Sequence, residues 1–304
     1  MKTQKMNPRL AIGTLMMSLI AFFPTLGSAA DLPAPVLDFS AANYTAAKNV
    51  DGLWIDSSAS HNNATPVSSG SISPALKSDA TPLGLPAVNF NYNAYQDAES
   101  LGFPKSLKLT TPLTGPAFTT APTFTLTFLA NISDFSGGPA VLFTTDVQGG
   151  LTYRINVDGT QTLTRASTAD IGTSSNTSVY TPGTWSVFTV TFDSTSGACV
   201  FYMDGTVVGT STPNIGNRTF ATPTNTQIGG GFGSTKFFGE IAALKVYDTA
   251  LTTDQVLADY NSLRAAWLVA PVPEPATCAL LLGGVTVLAA FAGRNRRRKH
   301  DPRQ

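Results

Sequence analysis

Between residues 31 and 270 the chain has two glutamates, Glu99 and Glu240, one histidine, His61, and one cysteine, Cys199. Cleaving a glycosidic bond takes two carboxyl groups held roughly 5–10 Å apart, an arrangement a strand supplies when acids alternate along one face. Glu99 and Glu240 are distant in sequence and stand in no such pattern; an edge or surface position of its strand accounts for Glu240. Serine hydrolysis needs a histidine base beside the nucleophile. His61 sits instead in the polar loop 57–65 beside Asn62 and Asn63, and no Gly-x-Ser-x-Gly elbow exists. The second thiol, Cys278, lies in an apolar stretch near the C-terminus, so Cys199 has no partner for a disulfide, zinc cluster or redox pair and reads as a small buried hydrophobe. Sugar recognition combines an aromatic platform with polar loop groups, and Trp54, Tyr92, Tyr95 and Tyr180 are the candidates. Trp54 alternates with Leu53 and Ile55 and reads as core, whereas Tyr92 and Tyr95 stand in an Asn-rich, exposed-looking run; spacing does not choose among the tyrosines.

The ends of the chain say where these residues are sent. Lys2, Lys5 and Arg9 precede an apolar run over 10–23, and Gly27, Ser28, Ala29 and Ala30 follow before Asp31. This is the layout of a secretory signal peptide, with small residues at Ser28 and Ala30 for signal peptidase and cleavage expected after Ala30. Residues 276–293 form an 18-residue stretch without a charge, which as a helix would cover about 27 Å, close to a hydrocarbon core. Arg294, Arg296, Arg297, Arg298 and Lys299 follow it and should stay cytoplasmic, predicting a transmembrane helix with the preceding domain outside. Immediately before the span stand Val272, Pro273, Glu274 and Pro275. The two prolines keep the segment extended, as a processing enzyme requires of a backbone it grips.

That ordered trio, Val-Pro-Glu-Pro, apolar span and terminal arginine cluster, resembles the PEP-CTERM sorting signal. The resemblance implies recognition by an exosortase, a membrane-embedded cysteine protease or transpeptidase of Gram-negative bacteria that make extracellular polysaccharide. It implies a C-terminal membrane tether before processing and a final place at the cell surface, outer envelope or extracellular matrix.

A formal charge of zero hides an uneven distribution. Residues 1–30 hold three basic and no acidic groups and residues 294–304 six basic and one acidic, leaving 10 basic against 18 acidic between them, about −8. This disfavours nucleic acid as a partner, which needs a basic face. The roughly 240 intervening residues suffice for one domain held by burial.

From residue 105 to 248, short runs with period-two hydrophobicity are separated by Gly, Pro, Asn, Asp and Thr. Phe124, Leu126, Phe128 and Ala130 alternate with Thr125, Thr127 and Leu129; the same pattern recurs over 151–157, 185–192 and 198–203. Such segments are antiparallel strands with one face buried. Asp158-Gly159 and Asp204-Gly205 suit tight type I′ hairpin turns. Near the domain end Thr252 and Gln255 form a capping box, with Val256, Leu257, Tyr260, Leu263 and Trp267 at helical spacing, predicting one structural helix against a sandwich.

Four segments in order resemble the concanavalin A-like, laminin G-like jelly rolls. Trp54-Ile55-Asp56-Ser57-Ser58 with Asn62-Asn63-Ala64 is similar to the family's W-x-D-x-S-G-x-x-N-x-A opening, with Ala59 in place of the glycine. Phe201-Tyr202-Met203-Asp204-Gly205 resembles its hairpin, Ile228-Gly229-Gly230 with Phe238-Gly239-Glu240-Ile241 its closing strand, and Tyr247 to Thr252 its helix entry. The resemblance implies an all-β antiparallel jelly-roll sandwich over 31–268 with one C-terminal helix, separate from the sorting tail 271–304. It also implies Ca2+ as an ion such loops hold, with Asp56, Asp134 and Asp146 as ligands to inspect, although they lack EF-hand spacing and turn capping competes for each. The expected function is non-enzymatic: adhesion to, or binding of, extracellular polysaccharide. The alternatives are an envelope structural protein without a dedicated ligand and a divergent glycoside hydrolase.

Overall fold

Alternating apolar residues in runs of three to eleven make strands, and in the computed structural model they join into one antiparallel sheet that folds over on itself. The structure describes residues 30–47, 50–67, 74–90, 106–136, 138–145, 150–165, 169–173, 180–211, 220–230 and 237–269. Its strands are β1 (Leu37–Ala47), β2 (Val50–Asp56), β3 (Ala64–Pro66), β4 (Ala75–Lys77), β5 (Ala87–Asn89), β6 (Leu107–Leu109), β7 (Thr123–Ile132) and β8 (Ala140–Thr145). They continue as β9 (Leu151–Ile155), β10 (Gln161–Arg165), β11 (Ala169–Thr173), β12 (Trp185–Asp193), β13 (Ala198–Met203), β14 (Thr206–Ser211), β15 (Thr226–Ile228) and β16 (Gly239–Tyr247). Helix α1 (Thr253–Trp267) follows. The spatial order is β11-β10-β9-β8-β15-β6-β3-β2-β1-β16-β7-β12-β13-β14, with the β4–β5 hairpin attached to β16.

The two layers meet through the alternating residues the sequence marks. Phe124, Leu126, Phe128 and Ala130 of β7 point inward and are fully buried. Phe128 meets Phe143 of β8 and Tyr153 of β9, at ring-centroid distances of 6.4 and 6.1 Å. Trp54 is buried against Phe39, and its indole N–H donates to the Ser40 carbonyl at 2.7 Å. Cys199 is buried in this core, where burial pushes its thiol well above the usual range.

β7 departs from the expected half-buried strand, because Thr125, Thr127 and Leu129 on its other face are buried as well. The chain folds back over that face to enter α1: the Thr125 hydroxyl donates to the Thr249 carbonyl at 2.8 Å and accepts from the Leu251 N–H at 2.9 Å. Threonine alternation here marks a second, polar-seeded interface with the helix. The capping box is present in both directions, Thr252 taking the Gln255 N–H and the Gln255 side chain taking the Thr252 N–H. Val256, Leu263 and Trp267 are buried and Tyr260 is half-buried, as the spacing requires, while Leu257 is exposed.

The hairpin turns differ from each other. Asp204 and Gly205 have φ of 52° and 74°, and Met203 pairs with Thr206, so this is the expected two-residue turn with both residues left-handed. Between β9 and β10 only Gly159 has positive φ, its N–H donates to the Asn156 carbonyl at 2.9 Å, and Asn156 N–H donates to the Thr160 carbonyl at 2.8 Å. That is a three-residue loop with a glycine bulge, not type I′. It ends β9 at Ile155 and leaves Val157 exposed.

Gly205 is doubly constrained, since a Cβ there would meet the Tyr260 ring and Leu257 of α1 in addition to the strained φ. Gly205→Ala is therefore expected to lower stability by about 2 kcal/mol, read as a shift of the urea midpoint at unchanged slope.

Among the described residues no helix is long and apolar enough to cross a membrane. The expected signal peptide and the expected span over 276–293 lie outside the described residues.

Candidate functional site

Side chains directly opposite each other in an antiparallel ladder share a face, and one outward row runs across the layer opposite α1. Thr164 of β10 faces Thr152 of β9, which faces Thr144 of β8. Thr144 faces Gln227 of β15, Gln227 faces Lys108 of β6, and Lys108 faces Thr65 of β3. Next to Thr152, two positions along, stands Arg154, opposite Thr162. The hydroxyls of Thr144 and Thr152 are 2.9 Å apart, and Ser106 donates to Gln227 Oε1 at 3.3 Å. Thr144, Thr162 and Gln227 are buried, whereas Thr65, Lys108, Thr152, Arg154 and Thr164 are half-buried. The inner faces of the same strands carry the core residues Phe143, Tyr153, Ile155, Leu163 and Ile228, with Thr145, Gln161, Arg165 and Thr226 also on that side, so this ladder of hydroxyls and an amide is where the outer face carries polar groups in regular spacing.

A second polar cluster is the loop from β2 to β3, which carries the Asp56 motif. Asp56 is fully buried. Its Oδ1 accepts from the backbone N–H of Asp38 and Ser58, both at 2.9 Å. Its Oδ2 accepts from the hydroxyls of Ser58 (2.8 Å) and Ser60 (2.6 Å) and from the Asn62 N–H (2.8 Å). Burial alone would raise the Asp56 pKa, but these hydrogen bonds together hold it below the ordinary value. Asn63 Oδ1 takes the Asp56 N–H, and Asn62 exchanges two bonds with the Thr111 backbone, at 2.7 and 2.8 Å. The tight path puts His61 at φ 47°, within the loop. This motif thus ties the opening strands together around one anion, and five donors fill the acceptor positions a cation would need.

The opposite layer holds two ion pairs whose carboxylates are buried, Lys77 of the first being half exposed. Glu240 is 3 % exposed, which corrects the expected edge or surface position: β16 is a central strand, flanked by β7 and by β1 and β5. Lys77 reaches over from β4 and pairs with its Oε1 at 2.5 Å. Glu240 Oε2 and, directly opposite on β7, Asn131 Oδ1 are buried without a hydrogen-bond partner. Lys245 pairs with Asp259 of α1 at 2.6 Å.

The residues singled out from the sequence separate as follows. Tyr180 is 3 % exposed, and its hydroxyl accepts from the Ile132 N–H at 2.8 Å and donates toward the Thr184 carbonyl at 2.7 Å. Burial pushes its phenol up to about 12. As placed, it is a strand-end latch and offers no ring face to a ligand, a correction to its reading as a binding platform. Asp134 caps a turn, its Oδ1 taking the N–H and hydroxyl of Ser136 at 2.8 and 2.6 Å. Among the described residues no group of three His, Cys, Asp or Glu side chains gathers as a metal site, and Asp56 and Asp134 do not converge. Tyr92, Tyr95, Asp146, Glu99 and the sorting residues Val272, Pro273, Glu274 and Pro275 lie outside the described residues. The polar row was missed because Leu-Lys-Leu and Thr-Gln-Ile are only three residues long, and nothing local says that they become neighbours.

A folded-over antiparallel sheet with a helix on one layer is a jelly-roll sandwich. Residues 107–257 match the model of the concanavalin A-like lectin/glucanases superfamily, and residues 271–298 match the PEP-CTERM protein-sorting motif. The chain therefore carries a concanavalin A-like, laminin G-like domain followed by a PEP-CTERM motif. No curated protein is similar enough in sequence to count as a match. Among solved structures, domain 4 of AbnA, a GH43 extracellular arabinanase from Geobacillus stearothermophilus, in complex with arabinotriose, is similar with a TM-score of 0.56 and 16% identity. The match covers 76% of this chain and 99% of that one. The binding domain of botulinum neurotoxin DC, in complex with rat synaptotagmin II, has a TM-score of 0.53 at 11% identity, covering 76% of this chain and 52% of that one. The binding domain of Paraclostridial Mosquitocidal Protein 1 has 0.53 at 14%, covering 76% and 53%. The chain thus spans about half the length of these two toxin-domain chains, and at such identities the likeness is one of fold.

Proposed function

We propose that the protein is exported, sorted by an exosortase through its C-terminal tail, and displayed at the cell surface or in the extracellular matrix as a non-enzymatic glycan-binding protein. In this reading residues 1–30 are the signal peptide, 31–268 the binding domain and 271–304 the sorting tail. Val272, Pro273, Glu274 and Pro275 are the recognition site, 276–293 the membrane stop, and Arg294, Arg296, Arg297, Arg298 and Lys299 the topology lock. The observation that carries the reading is the joining, in one chain, of a lectin-type sandwich with an ordered outer ladder of hydroxyl and amide groups to the sorting motif that begins at residue 271. Hydroxyls and amides both donate and accept, which suits polyhydroxylated ligands. The arabinotriose held by the similar arabinanase domain agrees with that choice. The non-enzymatic part is supported by Glu240, which is buried on the layer away from the ladder with its Oε1 paired to Lys77.

The test is retention of the detergent-solubilised full chain on immobilised polysaccharides, with and without Ca2+. Retention on at least one supports the binding role, and passage through all of them removes it. For sorting, replacing Pro273, Glu274 and Pro275 together by alanine is expected to abolish C-terminal processing in a host with an exosortase. An unchanged C-terminus and unchanged location would overturn that part.

A further inference from the structure

Charge on the described surface is not spread evenly. The domain is acidic as a whole, and six basic residues fall among the described positions: Lys77, Lys108, Arg154, Arg165, Lys245 and Arg264. Lys77 and Lys245 are consumed by Glu240 and Asp259, and Arg264 lies on α1. The remaining three all stand on the layer that bears the polar ladder, on β6, β9 and β10. The six strands β3, β6, β15, β8, β9 and β10 carry no aspartate or glutamate. Among the described residues, the acids on segments next to these strands are Asp56 at the end of β2, buried and held by its five donors, Asp158 in the β9–β10 turn, where Thr160 engages it, and Asp170 on β11, at the sheet's far edge from Lys108.

Two of these cations are unspent. Neither Lys108 nor Arg154 has an ion pair or a side-chain hydrogen bond among the described residues, and Arg154 Nε is buried without a partner. An unpaired buried guanidinium N–H is costly to leave unmade, which points to an acceptor supplied from outside. The register places both side chains outward on the ladder: Lys108 beside Gln227, and Arg154 two residues from Thr152. They lie three strand spacings apart and two residues out of row, roughly 16 Å in all, with Gln227, Thr144 and Thr152 between them.

We propose that this ladder is the binding face for an anionic polysaccharide, with Arg154 and Lys108 taking carboxylate groups at two points along the polymer and the half-buried hydroxyls of Thr65, Thr152 and Thr164 taking its sugar hydroxyls, while the buried Gln227 and Thr144 hold the row in place. Arg154 supplies a planar fork suited to a carboxylate, Lys108 a mobile point charge. The acidic remainder of the domain repels the same polymer and confines it to this face. This inference rests on the glycan-binding reading and names its ligand class and contacts.

The probes are polygalacturonate and, as its uncharged counterpart, dextran, each titrated against the full chain in non-ionic detergent. Polygalacturonate is expected to bind and dextran much more weakly. Arg154→Gln and Lys108→Gln should each weaken polygalacturonate binding roughly tenfold, about the loss of one charge-assisted contact. Arg154→Lys should restore only the part of the loss that charge alone supplies, and about 0.5 M salt should weaken the wild type more than the double variant. Thermal unfolding of each variant at wild-type temperature shows that the loss is not one of folding; if Arg154→Gln unfolds early, Lys108→Gln carries the comparison. Binding of polygalacturonate unchanged in the double variant, or dextran bound equally well, overturns the proposal. Binding to dextran alone overturns it while leaving the glycan reading standing, and no binding to either, or to any other glycan, overturns both.

Discussion

Asp56→Ala is expected to destabilise the domain by about 4 kcal/mol, because one substitution strips a common acceptor from five donors. Hydrogen bonds to an ionised group contribute about 1.5–3 kcal/mol each, and they do not add when they share an acceptor. The Asp38 and Ser58 N–H groups have no alternative partner once the carboxylate is gone, whereas the serine hydroxyls rotate, and both already reach the Val36 carbonyl, at 2.9 and 2.7 Å. Asp56→Asn keeps one acceptor but turns an NH2 toward donors, so it should recover little. The effect has a pH signature. Asp56 titrates below its ordinary value in the folded state, so its contribution is complete above the unfolded pKa near 4 and fades as pH falls through the lower folded value. Asp38 works against it: burial first, then repulsion from Asp56 and Asp259 against the pull of Lys245, raises its pKa. A raised carboxyl favours the fold below the unfolded pKa and gives that up as pH rises. The clean readout is therefore the difference in urea midpoint between wild type and Asp56→Ala, which should narrow between about pH 4 and pH 2. A gap constant over that range would remove the ionised carboxylate from the explanation.

Asp56 also shows what a sequence can and cannot disclose. The spacing Trp54, Asp56, Ser58, Asn62, Asn63 was visible as a motif, and the residue types permitted either a cation site or a hydrogen-bonded loop. Only the directions of the backbone N–H groups decide between them, and those depend on β1 returning beside β2, a pairing with no local signature. Alternation along β7, β9, β12 and β13 was legible because each strand buries one face in a common core. The second burial of Thr125 and Thr127 was not, since it depends on where a helix 120 or so residues later comes to rest. Glu240 was misplaced for the same reason: its strand is central because β5, from far upstream, pairs with its first residues. The polar ladder is the extreme case. Each of its residues is an unremarkable threonine, glutamine or lysine in a short strand, and the row exists only through strand order. The sorting tail was legible because it is linear, and its recognition needs no fold.

The largest effect elsewhere is expected at the Lys245–Asp259 pair, which joins the outer face of β16 to α1. Asp259 is 1 % exposed, and truncating it to alanine leaves an ammonium in a site built to be neutral. Removing one partner of a buried pair costs about 3–5 kcal/mol. Asp38 stands opposite Lys245 in the β1–β16 ladder and can take over part of that role, which puts Asp259→Ala near the lower figure, about 3 kcal/mol. Relief of the repulsion from Asp259 should at the same time let the Asp38 pKa fall. Adding Asp38→Asn removes the substitute, so the double variant should lose clearly more than the two single losses combined. By contrast, Lys245→Met with Asp259→Leu removes both charges and keeps their volume, and should return to within about 1 kcal/mol of wild type. A double-mutant cycle by urea unfolding gives the coupling directly; a coupling near zero would mean that the helix is held by Val256, Leu263 and Trp267 alone. Because α1 ends at Trp267 and the sorting motif begins at residue 271, loosening this helix loosens the tether between domain and tail. Asp259→Ala should consequently admit protease between 253 and 267 before the sandwich itself is cut, and the charge-free Met/Leu pair should not.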